Sequence, residues 1–280
     1  MTSGFGDLAP WGGVGKLSTV NLSGLFMFHG ILRAFLTTLF VMISLCLWRT
    51  GYAYGDWAAL ALLPLAIMLF VTHRNLLLAM RLAQRRVIWR PDSFGMRWLS
   101  GRLGSTFWAM IFVAVTIPLL AWQAVAMRPE RLPQLAVAFL LASLLFTALQ
   151  SPIGRQVAAP FHRNMAINVA TMAVLPLVVY AAWQGYHNDP IPARLLNAKL
   201  SELPLVALEG LPRRDGWLSQ VMAPLQVYDS GKLWLAARFP EQRWLAVLVG
   251  LDSALFAFVM GRTGAIVTDF LQMRGIAVRQ

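Results

Sequence analysis

Asp252 is the residue whose type and place most suggest chemistry. It is ninth in an apolar run of eighteen residues from Trp244 to Gly261, bounded by Arg243 and Arg262. A carboxylate at the centre of a membrane helix costs roughly 2.5–3.5 kcal/mol on insertion scales, so it must be protonated, paired or turned to a polar interior. Its chemistry would be proton or cation coupling, or the polar lining of a conduit. The plainer reading is a hydrogen bond that fixes helix packing. Gly250 and Ala254, a small pair on the same run, favour that reading. Arg33 is a conceivable ion-pair partner. It would sit about 6 Å below the inner face, with Asp252 about 13 Å below the same face, at the helical rise per residue. Snorkelling to the headgroups is the simpler account of Arg33.

The histidines and the other arginines form a second group. His-Arg-Asn occurs at His73–Asn75 and again at His162–Asn164, and His29 falls near the same level. Three imidazoles hold a metal or haem only when their geometry converges. Interfacial helix ends explain them better, so no metal and no cofactor is expected. Arg74 and Arg163 within these triplets suit an anionic headgroup or phosphate. Arg74, Arg81 and Arg85 share one helical stripe, with Arg86 adjoining, while Leu77, Leu78 and Leu82 lie nearer another. Such a helix lies on an anionic leaflet or docks a cytoplasmic partner.

Several chemistries lack their residues. An aspartyl intramembrane protease needs two membrane carboxylates, and the apolar runs supply one. A serine protease of the membrane needs a histidine at depth. There is no phosphate-binding glycine loop and no paired-carboxylate magnesium site. The single cysteine, Cys46, allows no intramolecular disulfide. Enzyme activity is not expected.

The elements that position these residues follow from composition. The 280 residues are 58% hydrophobic and 13% charged, with a mean hydropathy of +0.60. A soluble domain is about 25% charged. Apolar runs at 30–48, 57–72, 107–127, 134–150, 165–184 and 244–261 are each long enough, or nearly so, to cross a bilayer. The fold class is therefore an all-α integral membrane protein of six transmembrane helices. The net charge of +12 reads first as topology. Placing the arginine-rich loop 73–106 in the cytoplasm puts both termini inside. Fourteen basic residues and three acids then face inward, ten and eight face outward, and Asp252 lies between. This is a positive-inside pattern for a bacterial inner membrane, and it removes any need for nucleic acid as a partner.

The chain divides into a Gly-rich cytoplasmic segment 1–27 and helices 1–5 over 28–184. An outer segment 185–243 and a sixth helix with a basic tail over 244–280 complete it. In the outer segment Leu196, Leu200 and Leu203 have helical spacing, and prolines cut it into short pieces, as in an interfacial helix or lid. Pro64, Pro118 and Pro176 fall near the middles of spans two, three and five.

In layout the chain resembles short six-helix ABC exporter permeases. That resemblance implies a membrane subunit of a transport system, with loop 73–106 docking a separate ATPase and Asp252 lining or steadying the path. The alternative is a non-catalytic anchoring subunit of an envelope or secretion complex. Expected partners in both cases are anionic inner-leaflet lipids and other protein subunits. Polar span residues that converge on one cavity would favour transport; polar residues scattered as pairwise bonds would favour anchoring.

Overall fold

A computed structural model describes residues 20–88, 101–159, 161–188, 192–212, 216–239 and 241–277. Most of the Gly-rich segment 1–27, residues 89–100 of the basic loop and the last three residues are among those outside it. The long helices are α1 (Val20–Gly51), α2 (Leu63–Ile88), α3 (Arg102–Ala126), α4 (Leu132–Gln156) and α5 (Phe161–Asn188). Two short helices follow, α6 (Ala193–Asn197) and α7 (Leu203–Leu208), then α8 (Trp217–Arg238) and α9 (Arg243–Ala277). No strand occurs among the described residues. Six helical stretches are long and apolar enough to cross a membrane: Phe28–Tyr54, Asp56–Arg85, Arg102–Ala126, Pro129–Gln156, Phe161–Ala181 and Gly250–Met273. The protein is a multi-pass helical membrane protein.

Two boundaries differ from expectation. The second span opens as a tight 3-10 stretch, Asp56–Leu62, and becomes α-helical only at Leu63. Pro64 is thus the second residue of α2, where its missing N–H leaves no helical bond unmade. It is not a mid-span kink, whereas Pro118 and Pro176 do lie inside α3 and α5. The helix that carries the sixth apolar run, 244–261, continues well beyond it. Arg262 resembles a terminating charge in sequence, yet α9 runs 35 residues straight through it.

Helix α9 is the central element. Of its apolar window 61% is buried, against 28–39% in the other five. It packs on α1, α2, α3, α4, α5 and α8. Close approach depends on glycine at two places. A Cβ on Gly264 would stand 3.1 Å from the Phe139 carbonyl oxygen and 3.1 Å from the Ala142 Cβ, and one on Gly261 would stand 3.3 Å from the Thr171 Cα. Small residues let membrane helices approach closely where burial of apolar surface supplies no drive. Gly250, expected to pack through the Gly250–Ala254 pair, has nothing within 4 Å of its Cβ position. The seam lies further along α9 because only there is the helix enclosed. Around the bundle, Leu39, Leu47, Phe107, Val137 and Leu177 point outward, as lipid contact requires.

At one end the bundle is locked by side chains that reach carbonyls. Trp48 Nε1 donates to the Ala121 oxygen at 2.8 Å, and Arg49 Nη1 to the Ala124 oxygen at 2.7 Å. Carbonyls in the last turn of a helix have no intrahelical partner, and a cation suits them. Segment 185–243 folds over this same end. Trp234 Nε1 donates to the Ala198 oxygen at 3.0 Å and packs with Leu195 and Leu203. Trp122 Nε1 donates to Gln226 Oε1 at 3.1 Å, which ties α3 to α8. The described parts of the segment are packed, and one departs from the expected short pieces: α8 is a 22-residue helix that continues through Pro224.

Candidate functional site

Helices α8 and α9 form a hairpin across a short connection, and that hairpin answers the question of Asp252. Lys232 on α8 donates to Asp252 Oδ2 on α9 and pairs with Asp229 Oδ1 at 2.9 Å, one turn back on its own helix. The Tyr228 ring lies 5.6 Å from the ammonium. Both side chains of the interhelical pair are buried, Lys232 at 7% and Asp252 at 8% exposure. Burial opposes the charge on Lys232, but Asp229 and Asp252 outweigh it and hold its pKa above the ordinary lysine value. Lys232 had counted only as one of the outer cations. Its pairing joins residues twenty apart across a helix reversal, and local sequence carries no sign of that beyond the spacing of Asp229 and Lys232.

Asp252 lies within the sixth apolar stretch, and its side chain is buried where α8 meets α9. The ion pair with Arg33 does not form. Thr37, one turn from Arg33 on α1, is bonded to Thr268 at 3.2 Å, and Thr268 is sixteen residues from Asp252 along α9. That separation is about 24 Å at 1.5 Å per residue. Arg33 is half-buried at the opposite end of the bundle.

The triad Asp229–Lys232–Asp252 faces a cavity of about 680 Å³ enclosed by the end of α3, the 3-10 turn Pro129–Arg131, α4, α5, α8 and α9. Arg128 and Arg131 stand at its rim, and Gln123 and Ser253 add polar atoms. Apart from Gln134 the remaining wall is apolar, with Leu141, Leu177, Val178, Phe256 and Met260 among its residues.

Two more charges ride on α9. Arg262 Nη1 donates to Asn168 Oδ1 on α5 at 2.8 Å, and the guanidinium lies 5.6 Å and 5.7 Å from the Phe112 and Phe258 rings. His73 stacks on the other member of this group, Phe112, at 4.3 Å between ring centroids. Asp269, which sequence placed on the water side, is fully buried inside the sixth span. Arg163 Nη2 stands 3.2 Å from its Oδ1. Arg163 therefore supplies the opposite charge to a buried acid on a neighbouring helix. Asp252 is not the sole acid drawn into the bundle.

The basic stripe after span two is part of α2 itself. Arg74 Nε donates to Thr106 Oγ1 of α3 at 3.0 Å, Arg81 lies across Gly101 and Gly104, and Arg85 lies beside Gly101. All three are turned to the start of α3. The Arg86 side chain lies outside the described residues. His29, His73 and His162 do not converge: among the described residues no three His, Cys, Asp or Glu groups come together as metal ligands.

No known family, no characterised protein and no solved structure matches this chain. The geometry alone carries the functional reading. Most span hydroxyls serve their own helices: Thr38, Ser143, Thr147 and Thr171 donate to the carbonyl four residues back. At the cavity, Gln123, Asp252 and Ser253 share a wall with Asp229 and Lys232 of α8.

Proposed function

We propose that the protein is the membrane-spanning subunit of a multi-subunit transport system, energised by a partner, with its cargo-facing chemistry at the cavity beside Asp252. The observation that carries this reading is the buried Lys232–Asp252 pair, which borders that cavity and joins the lid to the central helix. An intramembrane acid paired at the edge of an open space is the kind of site that steers polar cargo or couples a proton. The chain performs no covalent chemistry of its own in this reading. It sits in the inner membrane with both termini in the cytoplasm, touches anionic lipid and other subunits, and needs no nucleic acid or cofactor.

The second reading, a non-catalytic anchoring subunit of an envelope or secretion complex, is favoured by a different observation. Away from the cavity, many polar groups make local or pairwise bonds such as Thr37–Thr268 and Asn168–Arg262. One experiment separates the two. The full chain isolated from its own membranes in mild detergent is expected to bring an ATP-hydrolysing subunit with it, and Asp252→Asn should leave the complex intact while lowering its hydrolysis. A stable complex without hydrolysis supports anchoring and overturns transport. A chain that isolates alone overturns both.

A further inference from the structure

The start of α3 gathers positive charge. Gly101 caps the helix with φ at +75°, a left-handed conformation that suits glycine, and it offers the first turn no side-chain acceptor. The first helical bond runs from the Ser105 N–H to the Gly101 oxygen at 2.8 Å. The N–H groups of Arg102, Leu103 and Gly104 therefore have no partner within the helix, and with the helix dipole they favour an anion. No acidic residue stands in this first turn, which opens on Arg102 instead.

Two more cations come from α2. The Arg81 guanidinium lies on Gly104, and the Arg85 guanidinium carbon would stand 3.6 Å from a Cβ on Gly101. Neither arginine has a carboxylate partner among the described residues. Arg85 Nη1 is buried and has no hydrogen-bond partner. Cations gathered at the positive end of a helix repel it and one another, so the arrangement calls for a counter-charge. Ser105 is an independent sign of a ligand. It is fully buried, and its Oγ has no hydrogen-bond partner. Buried hydroxyls are rarely left so. Residues three and four apart share a helix face, so Ser105 lies on the face of Gly101 and Gly104 that the two arginines cover.

We propose that the junction of α2 and α3 binds a phosphate group. The first N–H groups of α3, the guanidinium groups of Arg81 and Arg85 and the Ser105 hydroxyl donate to it. These donors outnumber what the two oxygens of a carboxylate can take, and the planar forks of arginine match phosphate oxygens. The negative charge of the phosphate offsets the gathered cations and the helix dipole together. A lipid headgroup and a soluble phosphate both supply this chemistry. The inference rests on the junction alone and holds whether the protein transports or anchors.

The test titrates the full chain, in an uncharged detergent at constant ionic strength, with inorganic phosphate in one arm and short-chain phosphatidate in the other. The melting temperature is expected to rise and saturate in at least one arm, and not to do so with chloride. A response to inorganic phosphate assigns the site to a soluble phosphate, and a response to phosphatidate alone assigns it to a lipid headgroup. Charge-assisted contacts are strong enough that Arg81→Gln with Arg85→Gln should raise the half-saturating concentration about tenfold or more. Gly104→Ala keeps every charge but puts a methyl group where the Arg81 guanidinium lies, and it should also weaken binding. Arg155→Gln removes a cation in the last turn of α4 and should leave binding unchanged. No saturable response in either arm, wild-type half-saturation in the double variant or in Gly104→Ala, or an equal loss in Arg155→Gln overturns the proposal. A chain that binds neither probe yet brings down the ATP-hydrolysing subunit overturns this inference and leaves the transport reading standing.

Discussion

Lys232 works because two carboxylates hold a cation that burial alone would discharge. Removing one member of such a group leaves the others without compensation, which typically costs about 3–5 kcal/mol. Lys232→Met is therefore expected to lower the melting temperature in detergent clearly, and Lys232→Met with Asp252→Leu to recover part of the loss. An unchanged melting temperature in the single variant would remove the pair from the stability of the fold. The pH dependence has a defined sign. The lysine pKa is raised in the folded chain, so its contribution is fully present below the ordinary lysine value of about 10.4. It is lost only as pH climbs above that, and there the wild-type and Lys232→Met melting temperatures should converge. At this scale sequence named Asp252 from its apolar surroundings alone. It could not name Lys232, because pairing depends on where a helix reversal brings two side chains.

At the scale of the element, α9 explains why charges survive in the most enclosed helix. Each charged side chain described on α9 has a partner from another helix: Lys232 for Asp252, Asn168 for Arg262, Arg163 for Asp269. A hydropathy window counts such residues as ends, because it scores each side chain against lipid and not against its neighbour. That is why Arg262 resembles an end of the span and why Asp269 was given to water. The two glycine positions test the packing. Gly264→Leu forces side-chain volume against the Phe139 backbone, which cannot retreat as a flexible side chain would. Overpacking costs on the order of 3 kcal/mol. Gly250→Leu meets open space and should be nearly silent. Resistance of the two variants to unfolding in detergent distinguishes them, and equal sensitivity would refute the seam at Gly264.

At the scale of the molecule, the charges that sequence distributes by side now have two destinations. Arg74, Arg81 and Arg85 brace α2 against α3, and Arg163 and Arg262 serve the bundle interior. The inward excess of positive charge is thus partly structural, and orientation calls for a direct measurement. In a Cys46→Ser background, Glu209→Cys on the lid should react with a membrane-impermeant maleimide in intact cells. Arg155→Cys, in the last turn of α4 at the far end of the bundle, should react only after the membrane is opened. The reverse pattern would turn the protein over and put the basic helix face outside.

Sequence by itself determined that the chain lives in a membrane, that about six helices cross it, and that one acid lies where acids are costly. These follow from local composition, since transfer of apolar surface is nearly additive along a chain. Tertiary structure decided the rest: the partner of each buried charge, the glycines that set helix distance, and the cavity where lid and bundle meet. Such features depend on residues far apart in sequence. A charge is costly or tolerable in a membrane according to what stands within a few ångströms of it, and only the folded chain decides that distance.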